Sequence, residues 1–201
     1  MVGVFARLGV KKIRLTGGEP LLRRNLPELA ARISSLDGIE DLSISTNATQ
    51  LAKHALALRQ AGVQRLNVSV DSLRRERFLS ITGKDSLPDV LAGLEAARQA
   101  GFQPIKINMV VMKGVNHDEV DDMVQFCITH GFVLRLIEVM PMGDTGRNAE
   151  YVDLQVIKHR LIEDFGLVEG AVPGARPARY LRTPDGSFSI GFITPLSWPG
   201  R

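Results

Sequence analysis

Lys11-Lys12-Ile13-Arg14-Leu15-Thr16-Gly17-Gly18-Glu19-Pro20 joins a strand pattern to a glycine pair, a carboxylate and a proline. Lys12 to Leu15 alternate polar and apolar, as a strand with one buried face does. Gly17-Gly18 end the strand where backbone takes φ > 0 or comes close to something. Pro20 biases Glu19 toward extended backbone and stops the strand from continuing. The result is a carboxylate at the C-terminal tip of a strand, beside bare backbone polar groups, which suits a bound amine or another small polar molecule. An ordinary strand-to-helix connection fits the same four residues, so the fold is read outward from them.

Four places share one punctuation: Leu8-Gly9-Val10, Ala61-Gly62-Val63, Ala100-Gly101-Phe102 and His130-Gly131-Phe132. Each follows a helical pattern and precedes a strand pattern, so each glycine is expected as a left-handed helix cap with the next apolar residue packing back. Strands are expected at Lys12 to Leu15, Asp41 to Ser45, Arg65 to Val70, Ile105 to Val111 and Val133 to Glu138. Helices are expected at Pro27 to Ser35, Leu51 to Ala61, Pro88 to Ala100 and Asp118 to His130. The last carries Val120, Met123, Val124, Cys127 and Ile128, the stripe of a helix with one buried face. This alternation implies a parallel α/β sheet with right-handed crossovers.

Polar residues then gather on or just beyond the strands: Thr16 to Glu19, Ser45-Thr46-Asn47, Ser69 to Ser72, Lys106 with Asn108, and Glu138 with Met140. In parallel α/β folds the C-terminal strand ends form the ligand site. After a Gly/Asp/Asn loop the sequence predicts a helix at Leu154 to Phe165. The pattern-free Ala171 to Arg179 then leads to a hairpin of Tyr180 to Arg182 and Ser187 to Ile193 around Pro184-Asp185-Gly186. The expected division is 1–150 for the α/β part and 151–201 for a C-terminal region.

Among the 201 residues, 44% are hydrophobic and 23% charged, the balance of a globular chain with a real core. The net charge is +3 without a long basic run, and aromatics are 5%. That disfavours a nucleic-acid surface and leaves room for a basic pocket that takes an anionic small molecule. One cysteine precludes an internal disulfide and makes a reducing, cytoplasmic compartment the default. No apolar run reaches bilayer length. The N-terminus reads as the last turns of an amphipathic helix, so the chain is expected to begin inside a fold.

Together the motifs resemble one family. Arg14-x-Thr16-Gly17-Gly18-Glu19-Pro20-Leu21, Ser45-Thr46-Asn47, Asn67-Val68-Ser69-Val70-Asp71-Ser72, Ile81-Thr82-Gly83, Lys106-Ile107-Asn108, Val115-Asn116-His117 and Ile137-Glu138-Val139-Met140 occur in the order and spacing of the GTP 3',8-cyclases. These are the radical S-adenosylmethionine enzymes known as molybdenum cofactor biosynthesis protein A. The likeness runs from about Val4 to Ser197. It implies an incomplete (β/α)6 barrel of the radical S-adenosylmethionine type, its first strand preceding this chain, followed by the C-terminal β-hairpin. It also implies that Gly17, Gly18 and Glu19 border the amino group of S-adenosylmethionine, that Ser69 binds another part of it, and that Met140 contacts its adenine by backbone. Arg14, Ser45 and Lys106 correspond to positions that hold GTP, and Arg135 is a candidate for either GTP or the cofactor. In the family a reduced 4Fe–4S cluster cleaves S-adenosylmethionine to a 5'-deoxyadenosyl radical, which takes hydrogen from ribose C3'. The carbon radical then closes onto C8 of guanine, the first step of molybdopterin synthesis. Homodimerisation of the full-length form and hand-over to the next enzyme of that synthesis are further implications.

The departures are as informative. The family carries a Cys-x-x-x-Cys-x-x-Cys loop whose thiolates hold the cluster, and a second cysteine group beyond the segment like Ile193 to Ser197. Neither is in this sequence, which is therefore expected to be an inactive fragment; a peptide-modifying radical S-adenosylmethionine enzyme and a non-catalytic remnant are the alternatives. Ala48 replaces a glycine that would take φ > 0 freely. Cys127 is expected in the core and the four histidines are expected to be structural or solvated. Asp71 is expected to accept local backbone hydrogen bonds. Glu19 or Glu138 is the expected partner of Arg14 and Lys106 should no nucleotide bind there.

Overall fold

Every helix that the glycine punctuation predicted ends where it should. Gly9, Gly62, Gly101 and Gly131 have φ between +71° and +90°. The residue after each sends its N–H back into the helix, from Val10 to Phe5, Val63 to Leu58, Phe102 to Ala97 and Phe132 to Cys127, at 2.9–3.2 Å. This bond satisfies a carbonyl that a helix end otherwise leaves open.

A computed structural model of the chain describes residues 1–139, 152–170 and 179–194. In order these form α1 (Val2–Arg7), β1 (Lys12–Leu15), a 3-10 turn (Pro20–Leu22), α2 (Leu26–Ser34), β2 (Asp41–Thr46), α3 (Leu51–Gln60), β3 (Arg65–Ser69), α4 (Arg75–Thr82), α5 (Leu87–Gln99) and β4 (Ile105–Val111). A 3-10 turn (His117–Glu119), α6 (Val120–His130), β5 (Val133–Glu138), α7 (Leu154–Phe165), β6 (Val168–Gly170), β7 (Arg179–Arg182) and β8 (Ser189–Ile193) follow. The residues fall into two compact units, one of Met1–Ser69 with Thr82–Lys106, the other of Val70–Ile81 with Ile107–Arg201.

In the first unit β1, β2 and β3 are parallel neighbours, Lys12 opposite Asp41 through Leu15 opposite Ile44, and Ser43 opposite Arg65 through Thr46 opposite Val68. Leu66 N–H donates to Pro104 C=O at 3.4 Å and brings the start of β4 beside β3. Leu42, Ile44, Leu66 and Val68 are buried, as are Ile33 of α2, Leu51 and Leu58 of α3, and Val90 and Leu94 of α5. Each such side chain contributes about 1.5–3 kcal/mol of burial. Gly93 matters here because a Cβ on it would lie 2.6 Å from Ala48 O and 3.0 Å from Leu51 Cβ. Only a bare backbone lets α5 come that close to the end of β2.

In the second unit the strand order is β4-β5-β8-β7-β6. β8 runs parallel to β5, Leu134 opposite Ile190, while β7 pairs antiparallel with both β8 and β6. The β7–β8 pair is the expected hairpin; Thr183 and then Ser187 donors at its turn hold the Asp185 carboxyl down to about 2. α6 buries Val120, Met123, Val124 and Cys127 as its stripe requires. Asp153 caps α7 by accepting from Gln155 N–H at 2.8 Å, and Arg160 clasps Asp121 through two bonds of 2.7 and 2.8 Å, tying α7 to α6.

Four elements differ from the reading of the sequence, the 3-10 turn at Pro20–Leu22 among them. α4 was not expected, because Arg75-Glu76-Arg77-Phe78-Leu79-Ser80-Ile81-Thr82 buries only Phe78 and shows no apolar stripe. β6 has three residues, too short for a period. His117–Glu119 forms a separate 3-10 turn ahead of α6.

Candidate functional site

Glu19 is the hub of the β1 and β2 ends. As the N-cap of the 3-10 turn it accepts from Leu21 N–H at 3.0 Å through Oε1. The same oxygen accepts the Thr46 hydroxyl at 2.6 Å, and Oε2 accepts Asn47 N–H at 2.7 Å. A carboxylate offers about four acceptor positions; these three fill all but one. Gly17 and Gly18 are exposed, and a Cβ built on either would meet nothing within 4 Å. With Gly17 at φ +150°, the pair presents bare backbone to open space, as an amino-acid ligand lying against it would need.

The register sets the faces. Arg14 is opposite Ser43, Ser43 opposite Arg65, and Ser45 opposite Asn67. Residues in register share a face, and that face recurs every second residue, so Ser69 belongs to it as well. The bond from Leu66 to Pro104 keeps Lys106 in phase with Asn67. Four expected residues, Arg14, Ser45, Ser69 and Lys106, thus lie on one face of the first unit, opposite Leu42, Ile44, Leu66 and Val68. Lys106 is buried, Ser45 half-buried, and Arg14 and Ser69 exposed. Arg65 on this face is neutralised by Asp41, to which it bonds through Nε at 2.9 Å and through Nη2.

In the second unit Arg135 is buried and donates from Nε to Asn108 Oδ1 at 2.8 Å. Glu138, expected with the polar rim, is buried in phase with Leu134 and Leu136, on the strand face opposite Arg135. Asp71 accepts from Val110 N–H at 2.8 Å, a bond to the neighbouring strand and not to its own turn. Burial outweighs that bond and raises its carboxyl above the ordinary value. Sequence reasoning also missed two buried clasps. Asn116 accepts Met112 N–H and donates to Asp71 C=O and Val110 C=O at 2.7–2.9 Å. Glu119, fully buried, takes Ser72 Oγ, Leu73 N–H and Arg77 at 2.6–2.9 Å. An acidic residue near a predicted helix start reads as solvated, so nothing local betrays Glu119; only the fold brings Ser72 to it.

Met140 lies outside the described residues. Cys127 is buried, and burial pushes its thiol well above the ordinary range. Among the described residues no three His, Cys, Asp or Glu side chains could hold a metal ion. A 4Fe–4S cluster held by three thiolates therefore does not fit a sequence with one cysteine, whereas the open glycine pair and the unfilled position on Glu19 fit the amino-acid end of S-adenosylmethionine. Gly114 N–H donates to His117 Nδ1 at 3.0 Å, and His130 Nδ1 lies 2.8 Å from Phe126 O, so both are tied into local structure. No helix among the described residues is long and apolar enough to cross a membrane.

Comparison with known proteins shows the family. The Radical SAM superfamily matches residues 1–127. The GTP 3',8-cyclase of Ectopseudomonas mendocina (strain ymp) is 44% identical over 196 residues, 96% of this chain and 59% of that protein. The GTP 3',8-cyclase of Paracoccus denitrificans (strain Pd 1222) is 45% identical over 202 residues, 98% of this chain and 58% of that protein. The chain thus spans less than two thirds of the length of the curated relatives it matches. Among solved structures, Streptococcus suis SuiB bound to precursor peptide SuiA aligns with TM-score 0.69 at 18% identity, covering 96% of this chain and 42% of that one. A domain of pyruvate-formate lyase-activating enzyme from Bacteroides vulgatus ATCC 8482 aligns with TM-score 0.61 at 18% identity, covering 78% and 96%. At such identities the likeness is one of fold: parallel α/β.

Proposed function

Since the chain belongs to the Radical SAM superfamily, we propose that it is the central part of a GTP 3',8-cyclase, the enzyme that converts GTP to (8S)-3',8-cyclo-7,8-dihydroguanosine 5'-triphosphate. The observation that carries this reading is the 44% identity to such a cyclase over 96% of the chain. S-adenosylmethionine, when bound, supplies the 5'-deoxyadenosyl group for hydrogen abstraction. Glu19 takes its ammonium group, the backbone of Gly17 and Gly18 lies along the amino-acid end, and Ser69 and the main chain of Met140 contact the rest. Arg14 and Lys106 neutralise the triphosphate of GTP and Ser45 offers it a hydroxyl, because a multiply charged anion needs cations from more than one strand; Arg135 is a candidate for either ligand. What these residues contribute is position and exclusion of water.

The cysteine ligands of an iron–sulfur cluster are not in this sequence, so the chain by itself is inactive. The same reading carries a cytoplasmic location, homodimerisation of the full-length form and hand-over of product to the next enzyme of molybdopterin synthesis. The division at 1–150 and 151–201 belongs to it too. Calorimetric titration of this chain with GTP and with ATP tests it. GTP binds, on the order of millimolar, or about 4 kcal/mol, and Lys106→Ala or Arg14→Ala weakens it. Equal binding of both nucleotides, or no response to either substitution, overturns it.

A further inference from the structure

We propose that Thr46 is a positioning residue for Glu19 and so sets how this site takes a primary ammonium group, an inference that rests on the S-adenosylmethionine reading above. The Thr46 side chain is 5% exposed. Its hydroxyl accepts Ala48 N–H at 3.0 Å and lies 2.6 Å from Glu19 Oε1. A hydroxyl has one proton. Glu19 Oε1 accepts it, while the Thr46 oxygen in turn accepts the amide of Ala48. That amide is itself fixed: Ala48 has φ +61°, and its carbonyl accepts Leu51 N–H at 3.0 Å.

The consequence falls on the carboxylate. Thr46 Oγ–H and Leu21 N–H fill Oε1, and Asn47 N–H fills one position of Oε2. The acceptor position that remains is on Oε2, facing a direction that the three donors determine between them. Leu21 and Asn47 act through backbone, so among the described residues Thr46 is the one side chain that sets this direction. Without its hydroxyl, Oε1 keeps a single donor, the Ala48 amide loses its acceptor, and the carboxylate can rotate. A charge-assisted bond to an ammonium depends on that orientation. A ligand without the ammonium group does not.

The test compares S-adenosylhomocysteine with its desamino analogue, titrated by ligand-observed NMR into this chain and into Thr46→Val and Thr46→Ser, with GTP as a control. Valine has the shape of threonine and no hydroxyl. Thr46→Val is expected to weaken the amine-bearing ligand about tenfold and to leave the desamino analogue and GTP unchanged. Thr46→Ser, which keeps the hydroxyl, restores wild-type preference. A loss shared equally by all three ligands, or no loss, overturns the inference and leaves the S-adenosylmethionine reading standing. If wild-type protein binds neither S-adenosyl compound, that reading falls and the inference falls with it. Should Thr46→Val not fold, Thr46→Ser decides alone, since loss of the preference for the amine in a chain that keeps the hydroxyl contradicts the proposal.

Discussion

Glu19→Gln separates the hub from the rest of the fold. The carboxamide oxygen can replace Oε1 and still accept from Leu21 N–H and Thr46 Oγ–H. The amide nitrogen then stands where Oε2 accepted Asn47 N–H at 2.7 Å, a donor facing a donor. The loss is one hydrogen bond to a charged group, about 1.5–3 kcal/mol; because Asn47 is exposed and its amide can turn to water, about 1.5–2 kcal/mol is expected. For a chain of this size that corresponds to a Tm lower by roughly 3–8 °C. Urea denaturation followed by circular dichroism measures the loss, and hydrogen exchange locates it: the Asn47 amide should lose protection while Val68, in the middle of the sheet, keeps it. A change below about 0.5 kcal/mol, the range of ordinary surface substitutions, with Asn47 still protected would show that the Glu19 carboxylate does not hold that amide.

Other substitutions read other parts of the account. Gly93→Ala should destabilise by about 1–2 kcal/mol, since a clash with the backbone oxygen of Ala48 at 2.6 Å falls in the upper part of the overpacking range, about 2–3 kcal/mol, against a gain in helix propensity of about 1; an unchanged urea midpoint would contradict it. Asp71 has its carboxyl raised by burial, so the stability that goes with it is fully present below its unfolded value, about 3.9, and is lost as pH rises through the folded one. Asp71→Asn keeps an acceptor for Val110 N–H and removes that loss, so its stability relative to wild type should rise between pH 4 and pH 7; a difference that does not vary with pH would rule this out. Cys127, buried with its thiol pushed up, should react with a thiol reagent at pH 8 only after denaturation, and rapid labelling of folded protein would show otherwise.

The helices and strands were legible because their signals are local. A glycine after a helix and an apolar residue after the glycine specify a bond that closes within six residues, and Val63 to Leu58 is one such case. The candidate site was legible in part. Glu19 was marked by Gly17, Gly18 and Pro20, but its partners Thr46 and Asn47 lie 27 and 28 residues away, and no spacing rule connects a carboxylate to a hydroxyl on the next strand. Asn116 and Glu119 were hidden for the same reason, and more deeply: burying a carboxylate is costly unless it is bonded, and its donors come from Ser72, Leu73 and Arg77. Ala48, standing where the family resemblance implies a glycine, reads from the sequence as a tolerated variation. It takes the left-handed conformation regardless, at φ +61°, its amide on Thr46 and its carbonyl on Leu51.

The function proposed above puts an S-adenosyl compound at the tips of β1 and β2 and a guanine nucleotide beside it, on the face of Arg14, Ser45 and Lys106. Interligand NOEs, recorded with S-adenosylhomocysteine and GTP both present in excess over the protein, test it most directly. Cross-peaks between protons of the two ligands are expected, lost in Lys106→Ala and in Glu19→Ala alike. Mutual displacement of the two ligands, or binding of both without a cross-peak, would contradict it.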